Sequence, residues 1–481
     1  MLAKVFSAAV RGVEGYLVEV EADVSPGLST FFTVGLPDVA VKESKDRVRA
    51  AVRNSGYDFA PGSYTVNLAP ADMKKEGPAF DLPIALAVLI ATRQIVAVRR
   101  DRLAVVGELS LDGALRGVHG ILPIAVALRD EGFRALAVPK ENAKEAALVD
   151  GLDVFALETL AQAAELLEGR LTPEPFKVDL QEEFSQAAHY AVDLSDVKGQ
   201  EHAKRALEVA AAGGHNLLMM GPPGAGKTML ARRLPTILPK LSLDEALETT
   251  KVHSVAGMLP PNQALVATRP FRSPHHTISS AGLIGGGSYP RPGEVSLAHH
   301  GILFLDELPE FERHVLEVLR QPLEDRRVTI ARAQVSLTFP AGFTLVASMN
   351  PCPCGYYGDP NHNCNCSPPS IRRYRSKISG PLLDRIDIHL EVPAVPYREL
   401  SAERSGEPSE VVCERVNAAR ERQQERYAGT GIHSNAGLTS KMIRAFCQPE
   451  PEAQQLLHQA VDRLGFSARA YDRVLKLART I

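Results

Sequence analysis

Apolar positions in the first 170 residues fall into short runs that alternate with helix-length stretches. Gly15–Ala22, Tyr64–Leu68 and Leu103–Val106 read as strands, and Asp81–Ala91 and Leu122–Arg129 as buried helices. Arg170–Ala188 breaks the pattern with Thr172-Pro-Glu-Pro175 and mixed polar residues, the composition of a linker. Further on, Asp196–Gln200 precedes a helix, and Asn216–Met220 is an apolar strand. Ile302–Leu305 is apolar at every position, which predicts burial on both faces, as in a parallel α/β sheet. From residue 396 the pattern turns helical: Glu410–Tyr427, Thr439–Phe446, Glu452–Leu464 and Ser467–Ile481. The predicted organisation is an α+β domain over 1–170, a linker over 171–190, an α/β core with a parallel sheet over 191–395, and a helical part over 396–481. Neither a fixed-period repeat nor a low-complexity tract is present.

A chain of 481 residues has room for several domains. Its 45% hydrophobic and 23% charged content is ordinary for a globular protein. With a net charge of −3 there is no global basic field, so any nucleic-acid contact must use local patches. No apolar run is long enough to span a membrane. Lys4, Arg11 and Glu14 come too early for a secretory signal, so a cytoplasmic protein is expected.

The strand Asn216–Met220 runs into Gly221, Pro222, Pro223, Gly224, Ala225, Gly226, Lys227 and Thr228. That G-x4-G-K-T pattern is a phosphate loop. Its glycines let successive backbone N–H groups close on phosphate oxygens, and the following helix offers its positive end. Lys227 would reach the β- and γ-phosphates of ATP, and Thr228 would hold Mg²⁺. Ile302–Leu305 then ends in Asp306 and Glu307. Asp306 would complete the Mg²⁺ shell and Glu307 would polarise the attacking water, which predicts an ATP hydrolase.

Four of the six cysteines form Cys352-x-Cys354 and Cys364-x-Cys366, around a nine-residue loop, Gly355–Asn363. Four thiolates suit tetrahedral zinc, and His362 could replace one of them. A basic run follows, with Arg372, Arg373, Tyr374, Arg375 and Lys377 and no acid between Asp359 and Asp384. It fits a phosphate backbone or an inter-subunit charge face. Arg326–Phe339 alternates like a hairpin, and its Arg326, Arg327 and Arg332 would either grip DNA or pair with Glu324 and Asp325. Arg269–His300 adds further donors: Arg269, Arg272, His275, His276 and Arg291.

This order of elements resembles an AAA+ ATPase, and more narrowly the magnesium-chelatase-like ComM/YifB family. Val197–Gln200 matches the family's adenine-contacting segment, which brings in Val197 and Gln200. Asn350, after Leu345–Met349, matches sensor 1. Arg385, in Gly380–Asp387, matches the arginine finger, with a structural pair to Asp384 or Asp387 as the alternative. Arg469 matches sensor 2 at the start of a lid helix, with Arg473 one turn on able to take that role. An arginine that completes a neighbour's site implies a ring, and the resemblance implies a homo-hexamer. It also implies a pore-facing hairpin, branched or single-stranded DNA as partner, and branch migration in recombination or natural transformation. A protein-remodelling ATPase of the Mg-chelatase type is the alternative.

The first domain resembles the Lon-protease fold. Ala79 and Leu122 stand where active relatives place a nucleophilic serine and a catalytic lysine, so peptidase chemistry is expected to be lost. Lys42, Lys45, Arg47, Arg49 and Arg53 on a helix over Val39–Asn54 make a candidate DNA-facing patch there. The family continues the last helix and adds a short tail, so a truncated lid is expected.

Overall fold

The computed structural model describes residues 2–98, 102–180, 183–184, 190–259, 263–287, 289–332, 335–360, 362–395, 406–464 and 466–481. They form two compact units. One comprises Met1–Ala187 with Ala246–Ala267, the other Ala188–Glu245 with Thr268–Ile481.

In the first unit the chain makes β1 (Leu2–Arg11), β2 (Glu14–Ser25), β3 (Thr30–Val34), α1 (Val39–Asn54), β4 (Ser63–Ala69), α2 (Asp81–Ala91), β5 (Leu103–Val105), α3 (Ile121–Asp130), β6 (Ala135–Pro139), α4 (Lys140–Ala146), β7 (Asp153–Leu157) and α5 (Leu160–Glu168). A seven-stranded mixed sheet runs β3-β4-β2-β1-β5-β6-β7. The β1–β2 and β2–β4 pairs are antiparallel, and the β5–β6 and β6–β7 pairs parallel. Every residue of α2 is buried, as the apolar run Leu82–Ala91 favours. By contrast, α1 is amphipathic: Val41, Val48, Ala51 and Val52 face the core, and the Asp38 carboxylate caps it by accepting from Val41 N at 2.8 Å.

The predicted strands and helices of this half fall inside observed elements, except that the strand read as Leu103–Val106 ends at Val105. The polar stretch after α5 begins by extending along the sheet, where Phe176 N donates to Val154 O at 2.8 Å. Helix α8 (Leu243–Ala256) lies inside the stretch 191–395, yet Ala246–Ala267 packs with the first unit. There the Ser254 hydroxyl donates to Glu145.

The second unit is built on a five-stranded sheet, all parallel, in the order β9-β10-β13-β8-β14. Its strands are β8 (Leu217–Met220), β9 (Phe271–Arg272), β10 (Ile302–Leu305), β13 (Thr344–Met349) and β14 (Ile388–Glu391). A separate hairpin pairs β11 (Arg327–Ala331) with β12 (Ser336–Pro340). Helices α6 (Glu201–Gly213) and α7 (Lys227–Ile237) share a core with β8, β10 and β13. Helix α9 (Pro368–Arg375) follows β13.

Among the described residues, four C-terminal helices complete this unit: α10 (Ser409–Arg426), α11 (Ser440–Phe446), α12 (Pro451–Leu464) and α13 (Ala468–Thr480). Val412 and Val416 of α10 join the core cluster of the sheet, while Tyr427, Leu438, Ile443, Cys447 and Leu475 form a smaller one. The architecture is therefore an AAA+ phosphate-loop core with a helical C-terminal part.

Candidate active site

All five strands of the second sheet point one way, so their carboxyl ends share an edge, where ligands of α/β sheets bind. The phosphate loop leaves β8 at this edge. Gly224 (φ 77°) and Gly226 (φ 81°) are left-handed, conformations that a Cβ would oppose. Lys227 opens α7 and is buried. Its Nζ donates to Gly221 O at 2.7 Å, Pro222 O at 2.9 Å and Asn350 Oδ1 at 3.2 Å. Burial lowers the pKa of this amine from the usual lysine range, and Asp306 and Glu307 partly oppose the shift. The loop thus holds its lysine on its own carbonyls.

Asp306 leaves β10 beside the loop, and its Oδ2 accepts from Thr228 Oγ1 at 2.7 Å. A hydroxyl and a carboxylate in contact at the loop are the hard oxygen donors that Mg²⁺ prefers, so the residues present fit that ion. Glu307 follows in a left-handed backbone (φ 54°), uncommon for a residue with a Cβ. Its N–H donates to Asp306 Oδ1 at 3.1 Å and Ser348 Oγ at 3.3 Å, which hold the turn. The Glu307 side chain is exposed, with His276 Nδ1 3.8 Å from its Oε2.

One residue here, Ser348, escaped the sequence reading. Ser348 is buried on β13 and donates to Asp306 Oδ1 while accepting from Glu307 N, so it ties the two acids together. Its signal was a lone hydroxyl inside the apolar run Leu345–Met349, just before Asn350. His276 was visible only as a donor in a long loop. Two other donors of that loop are engaged in the fold. Arg269 binds the carbonyls of Pro239 and His300 and the Glu245 carboxylate. Arg272 grips Glu294 through two bonds, at 2.6 and 2.8 Å.

Val197 is buried, and Gln200 ties its segment to the loop by donating Nε2 to Ala225 O at 2.7 Å and Pro393 O at 3.3 Å. Gln200 Oε1 is buried with no partner among the described residues. Arg385 pairs with neither Asp384 nor Asp387. Its guanidinium binds Glu324 and donates to Pro381 O at 2.6 Å, leaving a buried Nε without a partner among the described residues. Asp384 pairs instead with Arg473, and Asp387 with His215. Arg469 is exposed on the first turn of α13. Arg473 is tied down by the carbonyls of Leu383 and Ile386.

The basic candidates separate by partner. Arg372 and Arg373 are exposed on α9. Arg375 donates to Pro351 O at 3.0 Å and lies over the Tyr357 ring, and Lys377 sits 3.4 Å from Glu310. On the hairpin, Val328, Ile330, Leu337 and Phe339 face inward and Arg327 outward. Arg332 donates to Gly287 O at 3.3 Å, and the Arg326 guanidinium lies against Gly437.

The four cysteines converge. Cys352 Sγ lies 3.3 Å from Cys354 Sγ and 3.7 Å from Cys364 Sγ, Cys354 and Cys364 are 3.6 Å apart, and all four sulfurs fall within 4.8 Å of one another. His362 lies outside the cluster, stacked on Tyr356 and 3.5 Å from Asp359. In the first unit Leu122 is fully buried, with its N–H on Glu145 at 2.9 Å. Arg47 is a correction: rather than facing DNA, it makes a two-bond pair with buried Asp81. Among the described residues, no helix is long and apolar enough to cross a membrane.

Three family models match the chain: "Magnesium chelatase, subunit ChlI" over residues 193–400, "Subunit ChlI of Mg-chelatase" over 20–142, and "Magnesium chelatase, subunit ChlI C-terminal" over 406–481. YifB of Escherichia coli is 47% identical over 482 residues, covering 100% of this chain and 93% of its own. The competence protein ComM of Haemophilus influenzae is 46% identical over 483 residues, with the same coverage of both chains. Lon protease 2 of Bacillus subtilis is 28% identical over 223 residues, 44% of this chain and 35% of its own, in keeping with a Lon-like first unit. A phosphate loop, paired acids and an asparagine bonded to the loop lysine on one sheet edge, with 46–47% identity across the whole length, place this chain in the ComM/YifB family of magnesium-chelatase-like AAA+ ATPases.

Proposed function

We propose that the chain is an ATP-driven DNA motor, a homo-hexameric helicase that promotes branch migration in homologous recombination or natural transformation. The observation that carries the ATPase part is the convergence of Lys227, Thr228, Asp306, Glu307 and Asn350 at one sheet edge. Lys227 binds the terminal phosphates, and Val197 and Gln200 flank the adenine. Mg²⁺, held by Thr228 and Asp306, would neutralise charge on the phosphates. Glu307 orients and polarises water with help from Asn350, and Arg469 reports the nucleotide to the helical lid.

Arg385 acts on a neighbouring subunit's phosphate, exchanging Glu324 for it at the ring interface. Such arginines are worth about 10³–10⁵ in rate. DNA contact is assigned to Arg372 and Arg373 on α9 and to the hairpin that carries Arg326, Arg327 and Arg332. The relative's name, competence protein, supports a role in competence. The first domain, with Ala79 and Leu122 in place of a dyad, serves as a non-proteolytic accessory, the cysteine cluster holds structural zinc, and the cytoplasm is the expected compartment.

The family descriptions name a magnesium chelatase subunit, which supports protein remodelling as a second reading. Steady-state ATP hydrolysis with and without single-stranded or forked DNA separates the two. Stimulation supports the motor; turnover indifferent to every DNA structure tried counts against it.

A further inference from the structure

The cysteine loop touches the phosphate loop. Gly355, one residue beyond Cys354, sits at φ 90° so close to the phosphate loop that a Cβ there would lie 2.6 Å from Pro223 Cδ. Its N–H donates to Cys352 O at 3.0 Å, so the turn that makes this contact is closed by a residue of the cysteine cluster. On the other side of the cluster, Asn350 is two residues from Cys352 and accepts from Lys227. Pro351, between them, accepts from Arg375. Gly221 and Pro222 on one wall, and Pro351, Gly355 and Tyr357 on the other, enclose part of a cavity of about 620 Å³. Knuckle and phosphate loop are thus adjacent walls of one space.

The donor set fits zinc. Zn–S bonds of about 2.3 Å put the sulfurs of a tetrahedral site about 3.8 Å apart. Here Cys352 Sγ lies 3.3 Å from Cys354 Sγ and 3.7 Å from Cys364 Sγ, and Cys354 Sγ lies 3.6 Å from Cys364 Sγ. Thiolates also select zinc over Mg²⁺ and Ca²⁺, which take oxygen. A clip that joins Cys352 and Cys354 to Cys364 and Cys366 closes a nine-residue loop that carries few apolar side chains to order it otherwise.

We propose that Cys352, Cys354, Cys364 and Cys366 hold a zinc ion whose knuckle braces the phosphate loop through Gly355 and Pro223, so that metal loading sets nucleotide affinity. The inference rests on the assignment of Gly221–Thr228 as the nucleotide site. Without the clip, the turn that bears on Pro223 and the strand end that presents Asn350 to Lys227 are ordered only when nucleotide binds, and that cost comes out of affinity.

The test combines elemental analysis with equilibrium binding of a fluorescent ADP analogue to the full chain. Protein purified without chelator should carry one zinc per chain. Stripping the metal under reducing conditions, or Cys364→Ser, should weaken nucleotide binding by about tenfold or more. Adding zinc back to the stripped protein should restore affinity, which keeps the test valid if Cys364→Ser fails to fold. Lys227→Ala should keep its zinc while losing nucleotide. Zinc-free protein with four freely titrating thiols, or stripped protein with undiminished affinity, would overturn the brace. Lys227→Ala binding like wild type would overturn the nucleotide-site assignment, and the brace with it.

Discussion

Replacing Ser348 by alanine should damage the Mg²⁺-dependent step while leaving the fold intact. The hydroxyl is buried, donates to Asp306 Oδ1 and accepts from Glu307 N at 3.3 Å. Asp306 uses its other oxygen for Thr228, at 2.7 Å. Ser348 therefore acts as a positioning residue: it turns the carboxylate so that Oδ2 faces the metal position, and it pins the left-handed backbone of Glu307. A hydrogen bond to an ionised group contributes about 1.5–3 kcal/mol. At about 1.4 kcal/mol per factor of ten, that is roughly 10–100-fold. The same range is typical when partners that orient a metal ligand are removed. The loss should fall on turnover and on the Mg²⁺ concentration giving half-maximal rate. Metal-free nucleotide binding, which rests on the loop and Lys227, should stay near wild type. The assay is ATP hydrolysis titrated with Mg²⁺, beside thermal unfolding and nucleotide binding in chelator. An unchanged Mg²⁺ requirement and turnover in a folded protein would refute this role.

Further outcomes follow from the same geometry. Lys227→Ala should abolish nucleotide binding, whereas Glu307→Gln should bind ATP and hydrolyse it slowly; equal turnover by Glu307→Gln and wild type would remove Glu307 from its role. Arg385→Ala should bind ATP and lose turnover, and mixing it with Lys227→Ala subunits should recover some activity, because interfaces with an intact arginine and an intact loop then form. Arg47→Ala should lower stability by about 3 kcal/mol, the cost of leaving a buried charge unpaired, with unfolding as the readout. Burial, opposed by Arg47 and the Leu109 amide, pushes the Asp81 carboxyl up to about 6. An aspartate raised in the folded state favours folding most below its unfolded pKa, about 3.9, so this contribution should fade as pH rises through about 6. Asp81→Asn should flatten that part of the stability-pH curve.

Periodicity made the buried elements legible. Leu82–Ala91 is apolar throughout and proved fully buried. Ile302–Leu305 is the same case among strands. Such runs have one favourable destination, so tertiary context does not override them. Less apparent were β3 and the pairing order of the first sheet, because register depends on contacts far apart in sequence: β1 lies between β2 and β5, with Phe6 opposite Ala104. Helix α8 escaped for a related reason, since its sequence carries no mark of the unit it packs with. In the site, residues with a fixed spacing, from Gly221 to Thr228 and Asp306–Glu307, were readable. Residues defined by whom they meet were not. Arg47 looks like any surface arginine until Asp81, 34 residues away, lies beneath it. Arg385 looks free for a neighbour until Glu324 is seen to hold it.

The most direct test of the central claim is ATP-driven migration of a mobile DNA junction, followed by strand separation in a gel or by fluorescence. Wild type and Glu307→Gln should be run side by side at matched DNA binding. The account predicts that wild type moves the branch in the presence of ATP and Mg²⁺, and that Glu307→Gln binds the junction without moving it. Wild-type protein that hydrolyses ATP yet leaves the junction in place, with turnover unaffected by DNA, would contradict it.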